Sequence, residues 1–262
     1  MLVSARLTIL GSGSGGNCAY LETEETRLLV DAGFSGRQIR QRLATIGRSP
    51  ESLHGILITH EHSDHIAGLV GLAAQLDLPI YCNRFTKEAI EATLKIRIQA
   101  RIFNTGDSFS VGDMTVDTFA IPHDAQDPVG FLIHTNAGNF GFLTDLGHAT
   151  KMVMERVRCA NVLLLESNHD IKMLQEDPRR PWALKQRILS RHGHLSNEAA
   201  ADVIQEIISA DLRHVFLGHL SRDCNRPELA HSVMSGRLQK IGATHTRVDL
   251  TSQDTPCSTI AL

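Results

Sequence analysis

Short apolar segments separated by polar turns recur along the chain, and two periodicities occur among them. Residues 6–10, 55–58 and 162–165 form brief runs rich in Val, Ile and Leu, as expected of buried strands. Residues 35–46 and 197–208 repeat apolar positions every three or four residues, which is typical of amphipathic helices. The order of these segments predicts strand-rich blocks with helices between and after them, in two similar halves.

The remaining elements follow from the same patterns. Further strands are predicted at residues 18–21, 26–30, 79–82, 114–120, 129–134, 140–143, 215–217 and 244–248. Further helices are predicted at residues 66–76, 86–94 and 227–240. We expect the residues after Leu250 to be loosely ordered. No linker, repeat or low-complexity segment interrupts the chain, so residues 1–262 are predicted to form one α/β domain with two packed sheets and outer helices.

Composition narrows the possible classes of protein. The 262 residues are 42% hydrophobic and carry a net charge of −3, so an anionic substrate must be held by a local patch or by metal. Five scattered cysteines without a CxxC pair favour a reducing compartment over a disulfide framework. The first residues show no signal-peptide pattern, and no apolar run approaches the roughly 20 residues of a membrane span. We therefore expect a cytoplasmic protein that does not enter a membrane.

The sequence THEHSDH at residues 59–65 carries the clearest candidate chemistry. It follows the apolar strand 55–58, and in extended backbone His60 and His62 point the same way. Asp64 and His65 follow at the turn into the next helix. Three imidazoles and one carboxylate in six residues suit one or two first-row metal ions. The alternative is a polar loop that happens to be rich in His.

Other polar groups follow the ends of predicted strands. Glu166 and His169 follow strand 162–165, so both are active-site candidates, with substrate binding as their predicted role. Asp31 follows strand 26–30 and is interpreted either as a partner that orients a metal-binding His or as a strand-end cap. Two further histidines have simpler interpretations. His134 is predicted to be a half-exposed sheet residue, and His148 either supports the site or lies in a loop.

A glycine-rich turn at residues 11–17 follows the first strand. It lacks the GxGxxG and GxxxxGK[ST] patterns and opens no helix, which argues against a nucleotide site. Its glycines are predicted to permit tight packing beside the metal loop. Ser12, Ser14 and Asn17 could also donate hydrogen bonds to a phosphate.

Residues 178–194 form the one concentrated basic stretch. It contains no acidic residue, and its Trp182 is the single tryptophan of the chain. Cations beside an aromatic ring suit a surface that follows a nucleic-acid backbone and stacks on bases, although a solvated helix face is the simpler alternative. The cations of this stretch are Arg179, Arg180, Lys185, Arg187 and Arg191.

The HxHxDH motif after a strand resembles the signature of the metallo-β-lactamase-fold hydrolases. The resemblance implies a four-layered αβ/βα sandwich and two metal ions. It further implies that His60, His62 and His123 hold one ion, that Asp64, His65 and His219 hold the other, and that Asp145 lies between them. All seven positions carry residues able to bind metal. The Asp at position 145 is similar to the phosphoester-cleaving branches, because the lactamase branch places Cys there.

Finer motifs resemble the YycJ (WalJ) branch of small exonucleases. They are GSGSGGNC, DAGFS, HEHSDHIAG, IPHDAQDPVGF, TDLGH, ESNHD, GHLSNEAA and GHLSRDCNRPELA, and they cover nearly the whole chain. This resemblance implies 5′-to-3′ exonuclease activity on double-stranded DNA. His and carboxylate ligands without thiolate suit Zn, Mn or Fe, so the metal stays open.

Two such ions about 3.5–4 Å apart activate a water and stabilise the attacking and leaving oxygens of a phosphodiester. We expect Asp64 to orient that water and accept its proton, and His194 to protonate the leaving oxygen; packing in a loop is the alternative role for His194. A small-molecule phosphodiesterase of the same fold is the second hypothesis, and the basic stretch argues against it. A non-catalytic metal-containing protein is the third, and the complete ligand set with Asp64 argues against it.

Overall fold

The computed structural model describes residues 4–262, without the side chains of residues 73–75. Fourteen strands occur in these residues: β1 (Arg6–Gly11), β2 (Cys18–Glu22), β3 (Arg27–Val30), β4 (Gly55–Leu57), β5 (Ile80–Asn83), β6 (Ala100–Phe103), β7 (Ser108–Val111), β8 (Met114–Ala120), β9 (Val129–Thr135), β10 (Gly138–Leu143), β11 (Val162–Glu166), β12 (His214–Gly218), β13 (Arg247–Leu250) and β14 (Ile260–Ala261). Nine α-helices are described: α1 (Gly36–Thr45), α2 (Ser63–Ile66), α3 (Leu69–Leu76), α4 (Arg84–Leu94), α5 (Lys151–Val157), α6 (Ile171–Glu176), α7 (Trp182–Ile188), α8 (Asn197–Ile207) and α9 (Pro227–Lys240).

The strands form two seven-stranded sheets built on one plan. Their orders are β14-β1-β2-β3-β4-β5-β6 and β13-β12-β11-β10-β9-β8-β7. Strands β1 to β3 and strands β7 to β10 pair antiparallel, whereas β3 to β6 and β10 to β13 pair parallel. Each half therefore passes from hairpins to parallel strands, which confirms the predicted two similar halves.

Three apolar clusters fill the spaces between the layers. One lies between the sheets and joins residues of both, including Leu7 and Val30 from the first and Phe131 and Phe216 from the second. The other two lie under helices α1, α3 and α4 and under α5, α8 and α9. The four layers are the predicted αβ/βα sandwich. Phe131 is fully buried, and truncating such a side chain to Ala typically costs about 3–5 kcal/mol.

Local signals define several helix ends. Ser35 and Gln38 form a capping box at α1, and the Ala199 N–H donates to the Ser196 side chain at the start of α8. Pro227 occupies the first turn of α9, where its missing N–H costs little. Helix α9 therefore spans the residues 227–240 that the sequence predicted.

Three predictions of secondary structure need correction. The helix predicted at residues 66–76 is two helices, α2 and α3, which lie on either side of Ala67 and Gly68; a Cβ on Gly68 would approach the Phe34 carbonyl oxygen to 2.5 Å. The last long strand spans Arg247–Leu250 rather than 244–248. The segment after Leu250 is ordered: β14 pairs with β1, and the Cys257 N–H donates to the Ile9 carbonyl.

No helix within residues 4–262 is long and apolar enough to cross a membrane. The expectation about a signal peptide rests in part on residues 1–3, which lie outside the described residues.

Candidate active site

The ends of five strands from both sheets bring buried polar side chains together. Asp31 follows β3, His60 follows β4, Asp145 follows β10, Glu166 ends β11 and His219 follows β12. Asp31, Asp145 and His219 have φ of 61°, 56° and 53°. Non-glycine residues adopt this left-handed conformation rarely, and such strain is concentrated at functional sites.

The first group of candidate ligands consists of three histidines. The His60 Nε2 lies 3.1 Å from the His62 Nδ1, which lies 3.2 Å from the His123 Nε2. Two nitrogens on one tetrahedral ion, each about 2.0–2.1 Å from it, are roughly 3.3 Å apart. The spacing of these three nitrogens therefore fits a single ion.

The second group consists of Asp64, His65, Asp145 and His219. The His65 Nε2 lies 2.9 Å from the Asp145 Oδ2, and the His219 Nε2 lies 3.5 Å from the Asp64 Oδ2. The other oxygen of Asp145 lies 3.8 Å from the His123 Nε2. One carboxylate thus faces both groups, as the resemblance implied.

The outer nitrogen of each buried histidine has a hydrogen-bond partner, which assigns its tautomer. The His65 Nδ1–H donates to Asp31 at 2.8 Å, and the His219 Nδ1–H donates to Glu166 at 2.8 Å. The Nδ1 atoms of His60 and His123 lie 3.0 Å from the Thr59 Oγ1 and 3.2 Å from the Gly193 carbonyl. Each Nε2 is left with a lone pair directed inwards, as metal-binding histidines require. Asp31 therefore orients His65 and is more than a strand-end cap.

Two buried atoms in this centre lack hydrogen-bond partners among residues 4–262: the His219 Nε2 and the Asp145 Oδ2. The Asp145 Oδ2 lies 2.9 Å from the His65 Nε2 but faces its lone pair, because His65 carries its proton on Nδ1. An unpaired buried polar atom is costly, and a cation would supply the missing partner of both. The field also favours positive charge. Burial opposes the charged imidazolium of His65, yet Asp145 and Asp31 raise its pKa well above the ordinary value. The donor set thus fits divalent metal.

Glu166 lies behind the ligands and connects two histidines. Its Oε1 accepts hydrogen bonds from the Nδ1 atoms of His194 and His219, at 2.7 and 2.8 Å. Its Oε2 accepts hydrogen bonds from the backbone N–H groups of Leu146 and Leu195. Burial raises the pKa of Glu166, but His194 and His219 outweigh burial and lower it to about 2. Glu166 is fully buried, so its interpretation as a substrate-binding residue is wrong.

The glycine-rich turn packs against the second ligand group. The Asn17 side-chain amide donates to Asp64 and lies 3.1 Å from the His65 Nε2, and the Ser12 Oγ accepts the His219 N–H. Ser12 and Asn17 are both buried and bonded to each other, so neither can contact a phosphate as predicted. The exposed Ser14 can. The predicted tight packing beside the metal loop is confirmed.

A cavity of about 310 Å³ opens above the centre. Its lining comprises ligands (His62, Asp64, Asp145 and His219), residues at and before α7 (Arg180, Leu184, Arg187 and Ile188) and further loop residues (Ser14, Asp124, Asn168, Gly193, His194 and Ser221). Two arginines of the basic stretch therefore border the site. Asn168 and Ser221 were missed by the sequence reasoning, although both follow strand ends as the ligands do.

Acidic residues from elsewhere pair with the basic stretch. Arg180 contacts Asp177 and Asp223, and Arg187 contacts Asp124, which adjoins the candidate ligand His123. The absence of acid within residues 178–194 therefore overstated the local positive charge. Lys185 is buried, with its ammonium donating to the Gln175 carbonyl, so its predicted place in a cationic strip is wrong.

Other predicted residues lie outside the cavity lining. Arg179, Arg191 and Trp182 are exposed but do not border the cavity, and 68% of the Trp182 surface is accessible. His169 is buried beside the site, where burial lowers its pKa to about 4. It therefore cannot contact substrate as proposed.

The two other histidines that were interpreted from the sequence, His134 and His148, lie outside the centre. His148 is an exposed loop residue, and His134 is a half-exposed sheet residue that pairs with Asp117. The interpretation of His134 as a sheet residue is confirmed.

The fold and this His and Asp centre define a metal-dependent hydrolase. The profile of the family described as "Beta-lactamase superfamily domain" matches residues 26–219, and the chain belongs to this family. It is 40% identical over 237 residues to the exodeoxyribonuclease YycJ of Bacillus anthracis, covering 90% of this chain and 89% of that protein. It is also 40% identical over 240 residues to the exodeoxyribonuclease WalJ of Streptococcus pneumoniae, with the same coverage.

Solved structures share the architecture. The metallo-β-lactamase-fold protein YhfI from Bacillus subtilis aligns with a TM-score of 0.71 at 16% identity, covering 97% of this chain and 99% of that one. A diphosphatase from the PhnP family aligns with a TM-score of 0.71 at 17% identity, covering 100% and 99%. At these identities the similarity shows the fold alone.

Proposed function

We propose that this chain is an exodeoxyribonuclease that uses two divalent metal ions to hydrolyse double-stranded DNA from the 5′ end. The observation that carries the proposal is Asp145, which faces both ligand groups at the floor of a cavity that also holds His194 and two arginines. The two named exodeoxyribonucleases, each 40% identical over most of the chain, support the DNA substrate. The duplex preference and the 5′ polarity rest on the resemblance to the exonuclease branch alone.

The two ions would be held by the two ligand groups, with Asp145 shared. His60, His62 and His123 form one group, and Asp64, His65 and His219 the other. Zn or Mn suits these donors, and Fe is a third option. When bound, the ions supply an activated water and neutralise the charge that develops on the phosphate.

Asp64 is the candidate proton acceptor. It lines the cavity, and its side chain retains 20% of its accessible surface. Burial raises the pKa of Asp64, but its contacts with His219 and His65 outweigh burial and lower it. The carboxylate is therefore ionised at neutral pH, where it can orient the attacking water and accept its proton.

His194 is the candidate proton donor. Its Nδ1–H donates to Glu166, which leaves the Nε2 to give a proton to the leaving oxygen. Burial lowers the pKa of His194, but the Glu166 carboxylate outweighs burial and raises it. His194 is partly exposed on the cavity wall, so it can reach a substrate in a way that Glu166 cannot.

The size of the cavity favours attack at a strand end. At about 310 Å³ it lies at the lower end of small-molecule sites, a size that suits a single terminal nucleotide. We therefore expect linear duplex DNA to be degraded in the presence of Mn or Zn while a covalently closed circle of the same sequence stays intact. Cleavage of the closed circle at a comparable rate would refute end-dependent attack.

A small-molecule phosphodiesterase is the second candidate. The ion pairs of Arg180 and Arg187 with acids favour it, because they reduce the charge available to a polyanion. If DNA binds through these arginines, each phosphate contact contributes roughly −0.9 to the slope of log affinity against log salt. Replacing both with Gln should flatten that slope, whereas hydrolysis of bis-p-nitrophenyl phosphate should change little.

The matched control replaces Arg84 and Arg97 with Gln, since both are exposed and lie outside the cavity lining. An unchanged salt slope and normal DNA degradation in the Arg180 and Arg187 double variant would show that DNA does not bind through these arginines. Intact DNA alongside hydrolysis of bis-p-nitrophenyl phosphate by the wild type would favour the small-molecule enzyme.

A further inference from the structure

The segment after β13 contacts the glycine-rich turn at residues 11–17, which lies more than 230 positions earlier in the sequence. The Gln253 side-chain oxygen accepts the Gly15 N–H at 2.6 Å, and its side-chain amide donates to the Gly16 carbonyl at 3.0 Å. The Ser12 N–H donates to the Ser252 carbonyl at 3.1 Å. One side-chain amide therefore satisfies two backbone groups of a turn whose residues 12–17 belong to no strand.

Glycine at two positions of the turn makes room for this amide. A Cβ on Gly13 would approach the Gln253 Oε1 to 2.6 Å, and a Cβ on Gly15 would approach it to 3.0 Å. The first distance is a clash and the second is a tight contact. The glycines of the turn thus accommodate a particular side chain from a distant segment.

Gln253 is itself held in place. The Arg42 guanidinium donates to the Gln253 carbonyl at 3.0 Å and to the Leu10 carbonyl, and it lies 3.9 Å from the centroid of the Phe34 ring. The next residue, Asp254, pairs with Arg222, three positions after the candidate ligand His219. Residues 252–254 therefore contact both helix α1, through Arg42, and the loop after His219, through Arg222.

The inner face of the turn contacts ligands of one group only. Asn17 contacts Asp64 and His65, and Ser12 accepts the His219 N–H. The histidines of the other group, His60, His62 and His123, receive no hydrogen bond from Ser12 or Asn17 within residues 4–262. A displacement of the turn should therefore change the geometry of the Asp64, His65 and His219 group more than that of the His60, His62 and His123 group.

We propose that Gln253 is a positioning residue, which fixes the glycine-rich turn and through Ser12 and Asn17 sets the geometry of the Asp64, His65 and His219 group. It touches neither the ligands nor the cavity. The inference goes beyond the proposed function, and it rests on the two-ion centre but not on the identity of the substrate.

The test compares Gln253→Ala with the wild type by chelator competition, using Zn²⁺ alone as the probe. We expect the ion held by the Asp64, His65 and His219 group to bind about tenfold more weakly, and the ion held by the other group to keep its affinity. A tenfold loss is the lower end of what is typical when a residue that supports a metal ligand is replaced. The melting temperature of the metal-free protein should change little. Gln253→Glu keeps the acceptor for Gly15 and loses the donor to Gly16. Its zinc affinity should therefore lie between those of the wild type and Gln253→Ala.

Two further variants keep the test decisive. In Gly15→Ala the added Cβ crowds the Gln253 Oε1, so this variant should displace the same contact from the side of the turn. It should reproduce the selective loss of zinc affinity even if Gln253→Ala folds poorly. Gln239→Ala, on the exposed face of α9, is the matched control and should change nothing. Equal loss of both ions, or unchanged binding of both in Gln253→Ala and Gly15→Ala, would overturn the positioning role. A wild-type protein that holds a single ion would instead refute the proposed two-ion centre.

Discussion

Replacing Glu166 with Gln should show how far one buried carboxylate supports the centre. Glu166 accepts hydrogen bonds from two histidines at its Oε1 and from two backbone N–H groups at its Oε2. Gln keeps the shape but provides one oxygen and one NH₂ group. In either orientation of the Gln side chain, its NH₂ group faces one of the two pairs of donors, and that pair loses its acceptor.

The two orientations predict different losses. If the NH₂ group faces Leu146 and Leu195, two buried N–H groups lose their acceptor at about 1–3 kcal/mol each, or roughly 2–6 kcal/mol in total. If it faces the histidines, His219 must carry its proton on Nε2 and can no longer offer that atom to an ion. Metal affinity should then fall by about 10–100-fold.

The assay measures chemical unfolding of the metal-free protein together with metal affinity. Glu155→Gln is the control, because Glu155 is an exposed carboxylate in a surface ion pair with Arg158, and such pairs contribute little to stability. A Glu166→Gln variant that unfolds within about 0.5 kcal/mol of the wild type, and also binds metal normally, would refute the role assigned to Glu166.

Three further outcomes are expected. Asp145→Ala should lose both ions or retain one weakly, because both groups share that carboxylate; two tightly bound ions by elemental analysis would contradict this. His194→Ala should keep the metal and bind DNA but cleave it about 10²–10⁴-fold more slowly, whereas a p-nitrophenolate leaving group, which needs no proton, should be much less affected. Equal losses on both substrates would remove His194 from the role of acid. Burial raises the pKa of Glu22, but Arg48 outweighs burial and lowers it in the folded protein. The ionised Glu22 therefore stabilises the fold at pH values above its unfolded-state pKa, and this contribution is lost as the pH falls through its folded-state pKa. Unfolding free energy measured between about pH 6 and pH 3 should therefore fall less steeply in Glu22→Gln than in the wild type.

The ligands in the THEHSDH motif were predictable because their chemistry is local, whereas His123, Asp145 and His219 were implied by the resemblance. Each candidate ligand lies at or just beyond the end of an apolar strand or in the short motif that follows one, and parallel strands bring such ends to the same edge of a sheet. Orienting a metal-binding histidine was one of the two interpretations of Asp31, and the structure identifies His65 as that histidine.

What the sequence reasoning missed depends on contacts between distant residues. Gln253 lies 238 positions from Gly15, and Asp124 lies 63 positions from Arg187, so neither partner is visible in the local pattern. The residues after Leu250 lack a strong apolar period, yet β14 completes the first sheet by pairing with β1. Ser12 and Asn17 were taken for phosphate donors because their burial arises only when the turn packs on the metal loop.

Digestion of duplex DNA labelled at the 5′ or the 3′ end, with Mn or Zn added to the metal-free protein, tests the central claim most directly. The 5′ label should be released at once as a mononucleotide, while the 3′-labelled strand shortens progressively. Neither should occur without metal or in Asp145→Ala. Digestion that needs no metal, immediate release of the 3′ label, or intact DNA alongside rapid hydrolysis of a small phosphodiester would contradict it.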